Sequence, residues 1–308
     1  MRGLNDVKKL FYFLLLFFIL SGCFAEKLQK EKAYELFGQD DFTIIKTKAQ
    51  NIKPETIRTP LCSDYVRDLG YYGINAGFFN TVFKEKPDDD EFVSVSISWS
   101  KEDAESGLEV CEVSKRDPER IALGESAYIA RGTLFLYLTN EIKYEAGIIT
   151  AESCDDVKSQ IKLRTNDEIK QTNQDGDFDY IYMIGGGNFY LADYPDPDDW
   201  DKWTEEKYLE EGPRVREYFK TGRSGIGIKK ENDIWYVYLV SSGINGEEKP
   251  KTLKELRALF ISLGCSDAIY LDGDGSSQMR CAHENGELIE KCGDNRYIWS
   301  MVRLVKNK

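Results

Sequence analysis

Ala268-Ile-Tyr-Leu-Asp-Gly-Asp-Gly-Ser-Ser-Gln-Met279 is the stretch that constrains both fold and function most strongly. Its apolar start, through Leu271, predicts a buried strand that stops at a carboxylate, Asp272. Gly273 and Gly275 allow a tight turn and a close approach of the backbone to a ligand. Because such strand ends commonly carry active-site groups, Asp272 is a candidate catalytic residue. Taken alone, the stretch also fits a glycine hairpin with an incidental acid.

The flanking sequence predicts an α+β domain. Thr252-Leu-Lys-Glu255 is a capping box, apolar residues follow it at helical spacing, and Gly264 ends this helix. Strand patterns occupy residues 42–47, 92–99, 127–138, 225–228, 234–240, 268–271 and 297–305. We therefore predict an α+β fold with a mixed β-sheet core and packed helices, forming a single large domain over residues 38–308.

Composition narrows the classes of partner. With 308 residues, 31% of them charged and 13% aromatic, the chain can build a sizeable aromatic core, so global disorder is excluded. The net charge of −13 argues against a nucleic-acid partner, because phosphate contacts need a basic face. An anionic substrate would need a local cluster of arginines.

The N-terminus predicts export. Two lysines precede an apolar run at residues 10–20, which is too short for a membrane span of about 20 residues and matches the core of a signal peptide. Leu-Ser-Gly-Cys23 resembles a bacterial lipobox, in which the cysteine is lipidated. We expect a signal peptide at residues 1–22, a tether at 23–37, and a lipoprotein anchored in a membrane at the periplasmic face or cell surface. Ordinary signal cleavage and an uncleaved anchor are the alternatives.

The remaining cysteines predict disulfides. Six follow Cys23, and an even number is typical of disulfide-bonded exported proteins. Cys281 and Cys292 flank a strong hairpin-turn signal, Asn285-Gly286, so we predict that these two cysteines are paired. Metal binding through cysteine is the weaker alternative, because no Cys-x-x-Cys spacing occurs and the chain has one histidine, His283. That single histidine also argues against a Ser-His-Asp mechanism.

Three segments far upstream repeat the pattern of an apolar run followed by a tight polar turn. They are Gly73-Ile-Asn-Ala-Gly-Phe-Phe79, Met183-Ile-Gly-Gly-Gly-Asn-Phe-Tyr190 and Thr221-Gly-Arg-Ser-Gly-Ile-Gly-Ile228. Together with the Asp272 turn, and in this order, they resemble the phosphodiester glycosidase family. The family pattern runs Asn-Gly-Gly-Phe-Phe, Gly-Gly-Gly-Pro, Arg-x-x-x-Gly, a capped helix ending Leu-Gly, Leu-Asp-Gly-Gly-Gly-Ser, and an arginine before the last strand.

The resemblance extends over residues 40–307, and it departs from the family pattern at three positions. The matching positions are Asn75 with Gly77-Phe78-Phe79, then Gly185, Gly186 and Gly187, Arg223 with Gly227, Leu263-Gly264, Asp272 with Ser276, and Arg296. Ala76 and Asp274 replace glycines, and Asn188 replaces proline. Asp274 matters most, since an extra carboxylate beside the site would alter substrate choice, recruit a cation or weaken activity.

The resemblance implies an exported hydrolase that cleaves a sugar-1-phosphodiester in a cell-envelope glycopolymer or phosphoglycan. Its transition state needs positive charge against the phosphate oxygens and negative charge near the oxocarbenium carbon. Arg223 and Arg296 suit the first task, because a guanidinium grips phosphate through paired hydrogen bonds. Asp272 suits the second as nucleophile, base or electrostatic stabiliser. Asn75 would fix sugar hydroxyls or orient a water molecule.

Main-chain groups are expected to complete this site. The triple glycine at residues 185–187 is predicted to offer backbone amides to an anion, and Gly273 and Ser276 are expected to contact the substrate. Each of these residues also has a structural interpretation. The arginines suit surface ion pairs, Asn75 a turn cap, and the glycines a packing kink.

Two further interpretations stay open. A non-catalytic envelope lipoprotein of the same fold would bind a glycan or a partner protein. A calcium-dependent site would use Asp272 and Asp274. The acidic stretch at residues 175–179 begins like a calcium loop, but Tyr180 and Gly186 stand where an EF-hand needs glycine and an acid, which excludes an EF-hand.

Overall fold

Antiparallel pairing joins all the strands whose partners the structure describes. The structure is a computed structural model that describes residues 33–82, 91–94, 96–107, 109–111, 131–139, 143–165, 181–208, 219–243 and 249–305. The α+β class is confirmed, but the sheets are antiparallel rather than mixed. Some neighbouring strands are joined by hairpins, as β12 and β13 are, and others lie far apart in sequence, as β2 and β13 do; both kinds of pair are antiparallel.

The strands and helices follow in chain order. The strands are β1 (Glu35–Gln39), β2 (Phe42–Lys48), β3 (Ile52–Thr59), β4 (Gly73–Asn75), β5 (Phe79–Val82), β6 (Glu91–Ser94), β7 (Ser98–Trp99), β8 (Arg131–Leu138), β9 (Tyr144–Ala151), β10 (Ile181–Gly185), β11 (Gly187–Asn188), β12 (Ser224–Glu231), β13 (Ile234–Ser241), β14 (Asp267–Tyr270), β15 (Met279–Ala282), β16 (Leu288–Lys291) and β17 (Ile298–Leu304). The α-helices are α1 (Asp64–Asp68), α2 (Lys101–Glu105), α3 (Cys154–Thr165), α4 (Trp200–Trp203) and α5 (Leu253–Ser262).

Three sheets hold the core. Their strand orders are β1-β2-β13-β12-β14-β11, β16-β15-β4-β17-β3 and β7-β10-β8-β9, and β5 and β6 form a separate pair. One apolar cluster joins residues of all three sheets, among them Ile226, Val302 and Leu134, each of which is fully buried. Such burial is the main source of stability for a fold of this kind.

The elements next to the Asp272 turn form as the sequence predicts. The hairpin β12–β13 turns at Asn232 and Asp233, whose φ values of 49° and 61° match a tight two-residue hairpin. Helix α5 begins at the N-cap Thr252, which forms the predicted capping box with Glu255. This helix returns the chain so that β14 pairs with β12 and ends at the site.

Two boundaries differ from the sequence prediction. Residues 35–37, which the sequence assigns to the tether, lie in strand β1, because β1 pairs with β2 from Glu35 onward. The alternating run at residues 92–99 is not one strand, since β6 pairs with β5 and β7 pairs with β10. Alternation alone did not show that the chain changes sheets inside this run.

The predicted disulfide is wrong in one partner. Cys292 is bonded to Cys62, with a Cα–Cα distance of 5.8 Å, and Cys281 is a free thiol. Cys281 pairs in register with Ile289 in the β15–β16 hairpin and is fully buried in the apolar core. Its side chain therefore packs inside, whereas Cys292 lies beyond the last paired residue of that hairpin and meets a turn brought close by sheet packing.

Several predictions concern residues outside the described ranges. These are the signal peptide, Cys23 and most of the tether, the first part of the strand at residues 127–138, and the acidic stretch at 175–179. Residues 34–308 form one compact unit. None of the helices in the described part of the chain has the length and apolar character needed to cross a membrane.

Candidate active site

Three strand ends converge where the six-stranded and five-stranded sheets meet. Asp272 follows β14, Arg223 immediately precedes β12, and Asn75 ends β4. The Asn75 Nδ2 donates a hydrogen bond to the backbone oxygen of Asp272 at 2.6 Å. The Arg223 side chain passes the Asp272 turn, where a Cβ added to Gly273 would lie 3.9 Å from the Arg223 Nη1. Segments far apart in sequence are therefore brought together.

The side chain of Asn75 links neighbouring segments of the two sheets by hydrogen bonds. Its side chain is almost fully buried, and its Oδ1 accepts hydrogen bonds from the Ser224 hydroxyl at 2.7 Å and from the Gln278 amide at 3.0 Å. With Nδ2 donating to Asp272, the side-chain amide is engaged within the protein. These bonds hold the Asp272 turn in place, and the part of Asn75 in fixing sugar hydroxyls or orienting water stays a prediction.

A cluster of buried hydroxyl groups, which the sequence analysis did not identify, packs against the residues of the site. Ser277 is its centre: its Oγ lies 2.9 Å from the Ser224 Oγ and 3.2 Å from the Ser241 Oγ. It also lies within 3.1 Å of the Arg223 oxygen and 2.9 Å of the Ser242 oxygen. The only sequence signal was that Ser276 and Ser277 are adjacent, which does not show which hydroxyl points inward.

Arg223 is buried, with 3% exposure, so it is not a surface ion-pair residue. Its Nε donates to the Lys251 oxygen at 3.1 Å, and its Nη2 donates to the Phe219 oxygen at 2.8 Å. These backbone contacts hold the guanidinium in one orientation beside Gly273. A fixed cation at this place stabilises negative charge without reorganising when a substrate binds.

Asp272, Ser276 and Arg296 form the polar centre of the site. The Arg296 guanidinium donates to the buried Ser276 hydroxyl through Nε at 2.8 Å and through Nη2, and Nη2 lies 3.7 Å from Asp272 Oδ2. The Ser276 hydroxyl is also close enough to the Asp272 carboxylate to lower its pKa. Arg296 is 46% exposed and the Asp272 side chain 19%, so both can be reached by a ligand.

The environment of Asp272 changes its acidity. Burial raises the pKa of Asp272 to about 6, and the nearby Ser276 hydroxyl and the charge of Arg296 oppose this rise only in part. A partly buried carboxylate whose pKa lies near neutral and which sits beside a cation is typical of functional sites. Asp272 is therefore ionised at neutral pH and protonated in mild acid.

The triple glycine is closely packed, and two of the three amides that were predicted to bind an anion already have acceptors within the protein. The amide of Gly185 donates to the Ile97 oxygen at 2.6 Å, and that of Gly186 donates to the Gly132 oxygen at 2.7 Å. Gly187 pairs with Tyr270 across β11 and β14. Because protein carbonyls already use the amides of Gly185 and Gly186, these groups are not available to a phosphate.

Close packing at Gly187 gives a stability prediction. An added Cβ would lie 1.9 Å from Cζ of Tyr270, a fully buried ring in contact with Phe189 and Trp203. Gly187→Ala should therefore lower the free energy of unfolding by about 3 kcal/mol or more. Chemical denaturation of the purified variant measures this loss.

Gly38→Ala is the matched control for Gly187→Ala. A Cβ at Gly38, in the edge strand β1, would lie at an ordinary 3.6 Å from the Phe42 oxygen. We expect its free energy of unfolding to stay within about 0.5 kcal/mol of the wild-type value. Equal effects at the two glycines would contradict the packing role of Gly187.

Asp274 adds a second carboxylate next to Asp272, and its negative charge contributes to the raised pKa of Asp272. The Asp274 side chain is exposed and accepts a hydrogen bond from the Thr221 hydroxyl at 2.6 Å. Its φ of 54° is the left-handed conformation that favours glycine, which explains why the family pattern has glycine here. Within the described ranges, no group of three or more Asp, Glu, His or Cys residues is placed to hold a metal ion. The calcium site stays a prediction.

The surroundings of the site add two exposed aromatic residues. Phe219, 62% exposed, provides the carbonyl that holds Arg223, and Tyr297, 56% exposed, follows Arg296. Exposed aromatic rings beside polar side chains are suited to stacking on sugar faces. His283 lies in the exposed turn of the β15–β16 hairpin, which agrees with its exclusion from the chemistry.

The site combines an acidic residue, Asp272, with two arginines, Arg223 and Arg296, where two antiparallel sheets meet. The model of the phosphodiester glycosidase family matches residues 132–306, more than half of the chain. The chain belongs to the phosphodiester glycosidase family. No curated protein sequence gives a significant match.

Two solved structures are similar to this chain at low sequence identity, and the first of them supports the same fold. A protein from Burkholderia pseudomallei K96243 is 10% identical, with a TM-score of 0.51 over 86% of this chain and 74% of its own. The catalytic domain of zebrafish N-acetylglucosamine-1-phosphodiester α-N-acetylglucosaminidase, auto-inhibited by its pro-peptide, is 12% identical, with a TM-score of 0.47 over 91% of this chain and 85% of its own. At these identities no residue role is transferred.

Proposed function

We propose that this protein hydrolyses a sugar-1-phosphodiester, releasing a sugar and a phosphate monoester. The observation that supports this most directly is that the Arg296 guanidinium lies 3.7 Å from the Asp272 carboxylate while both side chains are partly exposed. Arg296 is placed to contact the phosphate. Asp272 faces the carbon that becomes positive as the bond to the phosphate breaks. Family membership supports the reaction class.

The leaving group explains why two cations and one carboxylate suffice. A phosphate monoester departs more readily than a sugar alkoxide, so protonation of the leaving oxygen contributes less here than the roughly 10²- to 10⁴-fold typical of general acids. Arg223 is buried and fixed, whereas Arg296 is exposed. We infer that Arg296 captures the phosphate and that Arg223 adds a permanent positive potential behind the Asp272 turn.

The raised pKa of Asp272 predicts the pH dependence. As nucleophile, base or electrostatic stabiliser, Asp272 acts in its ionised form. Because burial raises its pKa to about 6, kcat/KM should rise tenfold per pH unit below that value and level off above it. A rate profile from pH 4 to 9 measures this, and a falling rate through pH 6 would contradict the ionised role.

A panel of sugar-1-phosphodiesters with different sugars tests the proposal. Release of free sugar from any member, measured by a reducing-sugar assay, supports the hydrolase. Saturable binding without turnover would instead support a non-catalytic protein that binds a glycan. A calcium chelator tests the calcium-dependent alternative. A loss of activity or a lower melting temperature on chelation would reveal a metal site.

We also propose that the protein works outside the cytoplasm as a lipoprotein. The apolar run and Leu-Ser-Gly-Cys23 motif support this, and the Cys62–Cys292 disulfide suits an oxidising compartment. Cell-envelope glycopolymers or phosphoglycans would then be within reach of the site. Metabolic labelling with a fatty-acid probe, compared between wild type and Cys23→Ser, tests the anchor.

A further inference from the structure

A second pair of cysteines, Cys111 and Cys154, takes no part in the candidate active site. Cys154 begins helix α3, and its backbone amide donates to the Cys111 oxygen at 2.9 Å. A backbone contact of this kind places the two Cα atoms roughly 5 Å apart, inside the ~4.4–6.8 Å that disulfides span. The Cys154 thiol donates to the backbone oxygen of Val110, the residue before Cys111, at 3.9 Å, so the two side chains lie side by side. Both are free thiols in this structure.

The two thiols differ in exposure and acidity. Cys111 is half-buried, whereas Cys154 is buried in the apolar cluster that includes Val157 and Met183. The neighbouring Cys154 thiol holds the pKa of Cys111 below its usual range, and the charge of Lys158 acts in the same direction. The pKa of Cys154 is raised by Cys111 and by burial. Because Cys111 is the more exposed of the two thiols, it is the one that a soluble oxidant can reach, and we assign it as the nucleophile of the pair.

We propose that Cys111 and Cys154 are a disulfide-forming pair in which Cys111 reacts first and Cys154 resolves. This inference does not depend on the proposed hydrolase activity. It accounts for two of the cysteines that the Cys62–Cys292 bond leaves unpaired. The two that remain, Cys265 and Cys281, lie in other parts of the fold, each in or against a different apolar cluster.

The reaction balances with a small disulfide as oxidant. The Cys111 thiolate attacks one sulfur of oxidised glutathione, forming a mixed disulfide and releasing one glutathione thiolate. Cys154 then loses its proton and attacks the Cys111 sulfur, which displaces the second glutathione. The two protein thiols are oxidised to one disulfide, and one glutathione disulfide is reduced to two thiols that take up the two protons.

The bond would fasten the edge of the four-stranded sheet to helix α3. Cys111 follows Val110, which bridges to Ser98 of β7 at 2.8 Å and 3.0 Å, and β7 pairs with β10, the strand that leads into the triple glycine. Closing a loop of roughly forty residues by a disulfide stabilises mainly by restricting the unfolded chain. For a domain of this size the melting temperature should rise by roughly 5–15 °C.

Thiol mapping tests the pair without any substitution. Purified wild-type protein is incubated with oxidised glutathione, unfolded in the presence of an alkylating reagent, and digested for mass spectrometry. We expect a cross-linked peptide joining Cys111 to Cys154, with Cys265 and Cys281 alkylated. Full alkylation of Cys111 and Cys154 after oxidation would overturn the proposal.

Two variants test the order of reaction. Cys154→Ser should accumulate glutathione on Cys111, because the resolving thiol is missing, whereas Cys111→Ser should leave Cys154 reduced. Cys265→Ser is the matched control and should still form the Cys111–Cys154 cross-link. Glutathione accumulating on Cys154 in Cys111→Ser at the wild-type rate of oxidation would contradict the assignment of Cys111 as the nucleophile.

Discussion

Asp272→Asn should lower kcat/KM for a sugar-1-phosphodiester by about 10³-fold or more, while the protein gains stability above pH 6. The loss follows because the amide cannot provide the negative charge that the oxocarbenium-like transition state requires. Steady-state kinetics on the best substrate of the panel measures it. Full activity in this variant would remove Asp272 from the mechanism.

The gain in stability has a definite sign. In the wild type, the raised pKa of Asp272 contributes stability that is fully present below the unfolded value of about 3.9 and is lost as pH rises through about 6. Asparagine carries no charge at any pH, so it avoids this loss. We expect a gain of ~2–3 kcal/mol at pH 8 and none at pH 3.5, measured by denaturant unfolding. A stabilised but inactive variant cannot be explained by misfolding.

Arg296→Ala should lower kcat/KM by about 10²-fold, because the charged contact with the phosphate is lost. This position suits mutation, since the side chain is 46% exposed and its removal leaves no large cavity. The charge of Arg296 also lowers the pKa of Asp272. Without that charge the acid limb of the pH–rate profile should move to higher pH.

Arg296→Lys is the matched variant. Lysine keeps the charge but not the paired donors that contact Ser276, so we expect the acid limb to stay near its wild-type position while part of the activity is lost. If alanine and lysine have equal effects on rate and profile, the charge of Arg296 has no part in binding phosphate or in tuning Asp272.

The sequence predicted the elements around Asp272 because their signals are local. The capping box at Thr252, the hairpin turn at Asn285-Gly286 and the strand ending before Asp272 each depend on residues within one or two turns of chain. The order of the glycine motifs then indicated which distant segments meet. Asn75, Arg223 and Asp272 do meet, at the junction of two sheets.

What could not be predicted depends on three-dimensional partners. The sequence shows three glycines at residues 185–187 but not that carbonyls from Ile97 and Gly132 already accept two of their amides. It shows Asn75 but not that Ser224 and Gln278 use its oxygen. Hydrogen-bonding capacity is finite, so a group predicted to bind a ligand is available only if the fold leaves it unused.

The disulfide error has the same origin. The hairpin-turn signal between Cys281 and Cys292 favoured a bond between these two residues. Alternation along β15, however, directs the Cys281 side chain into the core. The true partner, Cys62, is 230 residues from Cys292 in sequence and is brought near by sheet packing. No local pattern contains that information.

The most direct test of the central claim is a crystal structure of the Asp272→Asn variant with a sugar-1-phosphodiester bound. We expect the Arg296 guanidinium to hydrogen-bond to the phosphate oxygens, and the anomeric carbon to lie within about 3.5 Å of the residue 272 side chain. A ligand bound elsewhere, or one whose sugar points away from residue 272 while its phosphate avoids Arg296, would contradict it.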